Sequence, residues 1–170
     1  MIVIVDGLDC SGKSTVYDRL YQNVKKAYFV RNSYPGPSDQ ERVDRLNLFK
    51  RRLEEPYLYI YDRATVIDDP VYEYMFNRRD SILEDMMDSS LFKNVLVLHF
   101  TVEKEEWLKR MKARGDQYVS IDNYEQIDRA YKVFYDKYKP IVEVIDTTHK
   151  DRDEAYNAAF KAIENFRKEK

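Results

Sequence analysis

Apolar residues along the chain fall into short runs that are separated by stretches with helical spacing. The runs cover residues 1–5, 27–31, 57–61, 94–100 and 141–145, and they are rich in β-branched and aromatic residues. Runs of this length and composition predict buried strands. Between the runs, apolar residues recur every three or four positions, as on one face of an amphipathic helix. This alternation predicts a five-stranded parallel sheet that helices cover on both faces, a three-layer αβα sandwich.

Capping signals indicate where several helices begin. Ser38 and Glu41 form a capping box, which predicts a helix directly after Ser38. Asp69 followed by Pro70 is typical of an N-cap and a first helical position. Two further helices are predicted to begin at Asp122 and at Asp151 or Asp153. His99 falls within a buried strand pattern and is predicted to be a core residue rather than a catalytic one.

The first apolar run leads into a loop that fits the phosphate-binding pattern G-x-x-x-x-G-K-[ST]. Gly7, Gly12, Lys13 and Ser14 occupy its fixed positions, and strand, loop and helix follow in the order that the motif requires. Glycine lets consecutive backbone amides point toward an anion at a helix N-terminus. We therefore expect Lys13 to bind nucleotide β- and γ-phosphates, and to face solvent otherwise. The Ser14 hydroxyl is expected to hold Mg²⁺.

Charged residues follow two of the predicted elements. Asp62 and Arg63 end the third strand, where a carboxylate can hold a metal-bound water or orient an arginine. Arg63 offers a planar fork that suits a phosphate. An ion pair that caps the strand is the alternative. Arg110 and Arg114 lie four residues apart on a predicted helix and share a face. They either bind an anion or form a solvated helix end.

Composition and charge narrow the class of protein. The chain has 170 residues with 29 Lys and Arg against 31 Asp and Glu, a net charge of −2. This balance argues against nucleic acid or a membrane surface as a partner. Cys10 is the only cysteine, which excludes an internal disulfide and suits a reducing compartment. We expect one cytoplasmic domain over residues 1–170, and the sequence leaves a homodimer open.

Several segments together resemble thymidylate kinases. Residues 7–15 resemble the phosphate loop of that family, with Asp9 as its acidic third residue, and residues 62–63 resemble its Asp-Arg after strand three. Residues 107–115 resemble its lid. The resemblance implies a P-loop kinase fold with strand order 2-3-1-4-5 and a lid near residues 110–122. It also implies ATP-dependent phosphorylation of a deoxynucleoside monophosphate, dTMP or a related pyrimidine nucleotide.

The resemblance implies roles for individual residues, with ATP and Mg²⁺ as cofactors and a small-molecule nucleotide as substrate. The predicted ATP contacts are Gly7, Cys10, Ser11, Gly12, Lys13, Ser14 and Thr15, and the predicted metal contacts are Ser14 and Asp62. The predicted acceptor contacts are Asp9, near the sugar, Arg63, on the phosphate, and Tyr34 and Arg45. Because the loop carries no arginine, the predicted catalytic residues are Lys13, Arg110, Arg114 and Asp62.

Other interpretations stay open. The segment after strand three also resembles deoxynucleoside kinases, which use a glutamate after strand two to deprotonate a sugar hydroxyl. Residues 31–34 contain no acid, and an acceptor phosphate, already an anion, needs no such base. A nucleotide-binding protein without kinase activity would not need both Arg63 and the basic residues of the lid. A kinase of polynucleotide ends would need a basic track, which this composition does not favour.

Overall fold

The computed structural model of the chain describes residues 1–31, 38–75, 82–115 and 121–169. Its strands are Ile2–Gly7 (β1), Ala27–Arg31 (β2), Leu58–Asp62 (β3), Val95–Thr101 (β4) and Ile141–Asp146 (β5). Its α-helices are Lys13–Asn23 (α1), Asp39–Glu54 (α2), Thr65–Met75 (α3), Lys104–Arg114 (α4), Ile121–Tyr138 (α5) and Arg152–Lys168 (α6). Two short 3₁₀ helices, Glu84–Met86 and Ser89–Phe92, precede β4.

All five strands form one parallel sheet in the order β2-β3-β1-β4-β5, which confirms the predicted order. β1 lies at the centre, hydrogen-bonded to β3 on one side and to β4 on the other. Every residue of β1 is buried, because both faces of a central parallel strand are covered by helices. The strand therefore fixes the start of the glycine loop at the middle of the carboxyl edge of the sheet.

Helices on both faces of the sheet divide the core into two layers. Ile2 and Ile4 of β1 pack in one layer with residues of α2, α3, α4 and α5. Val3 and Val5 pack in the other layer with α1 and α6. Successive side chains of a strand point to opposite faces, so the apolar run of β1 supplies both layers. None of the helices in the described residues has the length and apolar composition needed to span a membrane.

Helix α3 begins earlier than the capping pattern predicts. It starts at Thr65, so Asp69 is not its N-cap and Pro70 lies inside the helix rather than at its first position. Proline inside a helix removes one backbone hydrogen bond. Ile67 and Val71, one turn apart, are completely buried in the core. Their burial outweighs that loss, so the hydrophobic pattern sets the start of α3 and the local Asp-Pro signal does not.

The other capping predictions have mixed outcomes. The capping box at Ser38 and Glu41 is present, with the Glu41 carboxylate accepting from the Ser38 amide at 2.8 Å. Asp151, rather than Asp153, is the N-cap of α6. Helix α5 already begins at Ile121, so Asp122 lies inside it and the predicted N-cap there is wrong.

The two glycines of the loop predict different losses of stability. A Cβ at Gly7 would lie 2.1 Å from the carbonyl oxygen of Phe100, whereas one at Gly12 would meet nothing within 4 Å. Gly7→Ala is expected to lower the free energy of unfolding by more than about 3 kcal/mol, from overpacking plus a positive φ. Gly12→Ala, where only the positive φ is unfavourable, should cost about 1–2 kcal/mol. Chemical denaturation measures both, and equal losses would contradict this account.

Candidate functional site

The loop between β1 and α1 leaves the N-terminus of α1 open. Gly7 and Gly12 have φ values of 120° and 87°, which favour glycine. Gly12 is the N-cap residue, no described side chain caps the helix there, and its first turn carries no acidic residue. Ser14 and Thr15 are exposed in that turn. An uncapped helix N-terminus offers free amides and a positive dipole end to an anion.

The ammonium group of Lys13 lies inside the loop instead of in solvent. Its Nζ donates to the carbonyl of Gly7 at 2.8 Å and also to that of Leu8, and the residue is only 6% exposed. Burial, together with the charge of the nearby Arg63, lowers the pKa of Lys13 to about 8. The expectation that Lys13 faces solvent is therefore wrong, because the loop carbonyls supply the acceptors that its donors need.

Arg63 is the centre of an ionic cluster beside the loop. It follows β3 with a φ of 61°, rare for a residue with a side chain, and its amide donates to the carbonyl of Val5 at 3.0 Å. Its guanidinium pairs with the carboxylate of Asp9 and with Oδ1 of Asp68 at 3.3 Å. It also donates to the Tyr72 hydroxyl at 3.2 Å. Asp9 and Arg63, both predicted from the sequence, thus meet two partners that were not.

Asp68 and Tyr72 are the residues of this cluster that sequence reasoning missed. Asp68 is buried, and burial raises its pKa well above the ordinary value, with the Asp6 charge raising it further against the opposing effect of Arg63. Asp68 and Tyr72 are four residues apart on α3 and so share a face. A helix predicted to begin at Thr65 would have included both residues and put them on one face, close in sequence to Arg63. The two residues were missed because the helix was predicted to begin later.

Two predicted site residues, Asp62 and Arg45, lie apart from this cluster. Oδ2 of Asp62 accepts from Nε of Arg31 at 2.9 Å, an ion pair between the ends of β3 and β2. Arg45 donates to the Thr65 hydroxyl at 3.4 Å, between α2 and α3. Tyr34 lies outside the described residues. The structure thus brings Asp9, Lys13 and Arg63 together, and it records Asp62 with a partner on β2.

Arg110 is held against the loop from the other side. Its guanidinium donates to the carbonyl of Thr147 at 2.8 Å, to the Thr147 hydroxyl at 3.1 Å and to the carbonyl of Cys10 at 3.4 Å. Its Nε donates to Glu106 at 2.8 Å. The Thr147 hydroxyl in turn donates to the carbonyl of Ser11 at 3.0 Å. Arg110 is therefore bonded within the site, and Thr147, which carried no sequence signal, positions it.

Helix α4 contacts the loop at two more residues. Nη1 of Arg114 lies 3.6 Å from Sγ of Cys10. The indole N–H of Trp107 donates to the carbonyl of Asp9 at 3.0 Å. The sequence indicated Trp107 only as an apolar helix residue and as the start of the lid-like segment, so its polar contact with the loop was missed. Trp107, Arg110 and Arg114, which follow one another along one face of α4, therefore all contact the loop.

A cavity of about 310 Å³ opens between the loop and the β5–α6 connection. Its walls include residues 10–12 of the loop, Thr15, Arg110 and Thr147. A volume of this size is at the lower end of those that hold small-molecule ligands. It lies at the carboxyl edge of the sheet, where α/β folds bind ligands. Of the lid predicted near residues 110–122, Arg110 lines this cavity, and residues 116–120 lie outside the described part of the chain.

The loop offers oxygen ligands for a magnesium ion without forming a complete cage. Within the described ranges, no group of three or more His, Cys, Asp or Glu side chains is placed to hold a metal. The exposed hydroxyl of Ser14 lies at the N-terminus of α1, next to Lys13. Mg²⁺ usually takes one or two protein oxygens and completes its shell with water and substrate phosphates. These residues therefore fit a magnesium ion that arrives with a nucleotide.

Solved structures of nucleotide kinases share this architecture. The YorR protein from Bacillus subtilis, in complex with phosphorylated GDP, matches 96% of this chain and 96% of its own with a TM-score of 0.76 and 21% identity. The chain has the thymidylate-kinase-like P-loop kinase fold. A thymidylate kinase from Candida albicans has a TM-score of 0.66 and 21% identity over 96% of this chain and 91% of its own.

A second kind of kinase shares the P-loop kinase fold as well. A deoxyadenosine kinase from M. mycoides, with the products dCMP and dCDP bound, has a TM-score of 0.60 and 17% identity over 97% of this chain and 99% of its own. No protein-family model and no curated protein sequence matches the chain. The likeness is therefore one of fold, and the acceptor has to be argued from the site.

Asp68 gives the site a characteristic dependence of stability on pH. A carboxyl whose folded pKa is raised destabilises the fold as the pH rises from its ordinary value of 3.8 toward the folded pKa. Asp68→Asn should therefore be neutral at the acid end and increasingly stabilising above it. The gain should be about 1.4 kcal/mol for each unit by which the pKa is raised.

Chemical denaturation across this pH range measures the difference between the variant and the unaltered protein. Asp136→Asn is the control, because Asp136 is 83% exposed and a surface change should stay within about 0.5 kcal/mol. If the free energy of unfolding of Asp68→Asn does not increase relative to that of the unaltered protein as the pH rises, the pKa of Asp68 is not raised in the folded state.

Proposed function

We propose that the chain is an ATP-dependent kinase of deoxynucleoside monophosphates. The observation that carries the proposal is the uncapped N-terminus of α1, with the Lys13 ammonium inside the loop and Arg63 beside it. These groups supply positive charge on both sides of the place where a phosphoryl group would move. The similarity in fold to nucleotide kinases supports the same reaction class.

The donor nucleotide would lie across the loop. Its base and sugar fit the cavity between the loop and the β5–α6 connection, with Arg110 and Thr147 in the wall. Its phosphates would then reach the amides at the start of α1. The Ser14 hydroxyl would hold Mg²⁺, with Asp62 as a contact through water. A magnesium ion there would neutralise charge on the phosphate oxygens.

Lys13 would change partners when phosphates arrive. Its Nζ donates to the carbonyls of Gly7 and Leu8, both neutral acceptors, and lies 4.0 Å from Oδ1 of Asp9, which is paired with Arg63. A phosphate oxygen carries a negative charge, so at hydrogen-bond distance it adds a Coulomb attraction to the ammonium that a carbonyl does not provide. The exchange would therefore favour the nucleotide-bound state. It would also favour the charged form of the lysine, whose pKa burial lowers to about 8.

The acceptor phosphate would replace a carboxylate at Arg63. The Asp9 side chain is 40% exposed, so this ion pair is open to exchange, whereas Asp68 is buried behind it. An incoming phosphate would take the place of Asp9 on the guanidinium. Asp9 would then be free to accept a hydrogen bond from the acceptor sugar. Arg45 and Tyr34 are proposed to contact the base, dTMP or a related pyrimidine nucleotide.

A deoxynucleoside kinase is the second candidate, and the position of Asp9 favours it. A half-exposed carboxylate beside Arg63 could take a proton from a sugar hydroxyl, a role for which the sequence offered no acid after strand two. The deoxyadenosine kinase with the same fold adds to this case. Arg63 weighs against it, because a neutral nucleoside gives that guanidinium no anion to bind.

A panel of nucleosides and nucleoside monophosphates with ATP and Mg²⁺ tests the proposed reaction. Monophosphates should be converted to diphosphates, and the matching nucleosides should not react, because Arg63 binds an anion. ADP release and product mass measure the outcome. Lys13→Ala should abolish turnover, because it removes the ammonium that binds the phosphates. Turnover of nucleosides in preference to monophosphates would select the second candidate, and near-normal activity of Lys13→Ala would refute the loop assignment.

The basic residues of α4 are proposed to stabilise the transferring group. The loop carries no arginine, and an arginine that meets the moving phosphoryl contributes roughly 10³–10⁵ in rate in related enzymes. Arg110→Ala or Arg114→Ala should therefore lower kcat by at least about 100-fold, with a smaller loss of ATP affinity by calorimetry.

Lys109→Ala is the matched control on the same helix. Lys109 is 79% exposed and pairs only with Glu106 among the described residues, so its removal should change kcat less than about twofold. If neither arginine variant falls below the control by tenfold or more, the charge that stabilises the transition state does not come from α4.

A further inference from the structure

Helix α5 contacts the base of the phosphate loop through a buried hydroxyl. The hydroxyl of Tyr131 donates to Oδ1 of Asp6 at 2.7 Å and lies 3.4 Å from the carbonyl oxygen of Gly7. The residue is only 2% exposed. Burial raises the pKa of Tyr131 well above its ordinary value, and the charge of Asp6 raises it further. The hydroxyl therefore stays protonated and remains a donor.

The carboxylate of Asp6 depends on a small number of donors. Asp6 is completely buried at the end of β1, and its Oδ1 also accepts from the amide of Gly7 at 2.7 Å. Its Oδ2 has no hydrogen-bonded partner within the described residues. A buried carboxylate needs donors to offset the water it has lost. Tyr131 and the Gly7 amide are the donors that fix its orientation.

The Gly7 peptide passes this orientation on to Lys13. The amide of Gly7 bonds to Asp6, and its carbonyl accepts from Nζ of Lys13 at 2.8 Å. The Tyr131 hydroxyl also lies 3.4 Å from this carbonyl oxygen. Because Asp6 and Lys13 hydrogen-bond to the amide and to the carbonyl of the same residue, a shift of the Asp6 carboxylate would be felt at Lys13.

We propose that Tyr131 is a positioning residue of the phosphate loop, which orients Asp6 and, through the Gly7 peptide, the ammonium of Lys13. The proposal rests on the proposed function, since it assumes that the loop binds nucleotide phosphates. Tyr131 touches no reacting atom. It makes helix α5, which follows α4 along the chain, a second support of the loop beside the Trp107 contact of α4.

Other tyrosines of α5 provide matched controls. Tyr138 is as deeply buried as Tyr131, packs against Phe92 and Phe134, and makes no described hydrogen bond to the loop. Tyr135 bonds through its hydroxyl to Nδ1 of His99 at 2.8 Å rather than to the loop. Replacing Tyr138 by phenylalanine therefore removes the same atom from the same helix without touching the loop.

Ligand binding separates a positioning role from a general loss of structure. Tyr131→Phe should weaken ATP binding by at least about tenfold, because the loop no longer holds Lys13 where the phosphates need it. Binding of adenosine, which has the base and sugar but no phosphate, should change less than about twofold in displacement experiments. Tyr138→Phe should leave both affinities unchanged. Equal losses for ATP and adenosine, or no difference between the two variants, would overturn the proposal.

A double-mutant cycle tests whether Tyr131 acts through Asp6. In an Asp6→Asn background, Tyr131→Phe should cause little further loss of ATP affinity, because the group it orients is already changed. If the two substitutions lower ATP affinity independently, so that the fold losses multiply in the double variant, Tyr131 does not act through Asp6. Thermal unfolding of each variant shows whether it is folded at the assay temperature.

The outcomes also separate this proposal from the proposed function. A selective loss of ATP affinity in Tyr131→Phe, with no turnover of any acceptor by the unaltered protein, would refute the reaction but not the positioning role. Turnover by the unaltered protein with an unaffected Tyr131→Phe would refute only the positioning role. No ATP binding by the unaltered protein would refute both.

Discussion

The close packing of Gly7 against strand β4 is the constraint on which the rest of the site depends. β1 is hydrogen-bonded on both sides and buried on both faces, so its last residues have no freedom to move. At Gly7 the backbone passes so near Phe100 that a Cβ would lie 2.1 Å from its carbonyl oxygen. The amide of Leu8 donates to that same oxygen at 3.0 Å. The loop therefore leaves the sheet in one direction, which sets where Lys13 finds its acceptors and where α1 begins.

The buried charged groups beside Gly7 are not fully compensated by their surroundings. Burial lowers the pKa of Lys13 and raises that of Asp68, so the protein environment moves both groups toward their neutral forms. Arg63 lies between carboxylates, and each buried charge there is unfavourable unless it is paired. Such strained electrostatics are common at functional sites, where the ligand supplies the missing partner. A phosphate bound to the loop would stabilise the charged form of Lys13. A phosphate at Arg63 would replace the carboxylate of Asp9, so the site suits phosphate groups.

Features that depend on neighbouring residues were predicted from the sequence, whereas contacts between residues far apart in the chain were missed. The strands and the glycine loop depend on local patterns, and the structure has them nearly where the sequence predicts. The strand order is not local, and it was predicted through the family resemblance. The burial of Lys13 was missed because it depends on carbonyl groups that no side-chain pattern reports. Asp68 was missed because the Pro70 signal misplaced the start of α3. Tyr131 was missed because it has the spacing of an ordinary core residue, and the Asp6 it contacts is 125 positions away.

The donors around the loop help to direct its amides, although those of Leu8 and Ser11 already donate to the carbonyls of Phe100 and Leu8. Each carbonyl from residue 7 to residue 11 accepts a hydrogen bond from a side chain. The donors are Lys13 on Gly7 and Leu8, Ser11 also on Leu8, Trp107 on Asp9, Arg110 on Cys10 and Thr147 on Ser11. A peptide whose carbonyl is held on one side has its N–H directed to the other. The loop is thus held through its carbonyl groups, by donors on helices and connections that lie far apart in sequence. Because two of those donors are cations, the groups that shape the loop in this state are also the ones that a phosphate would attract.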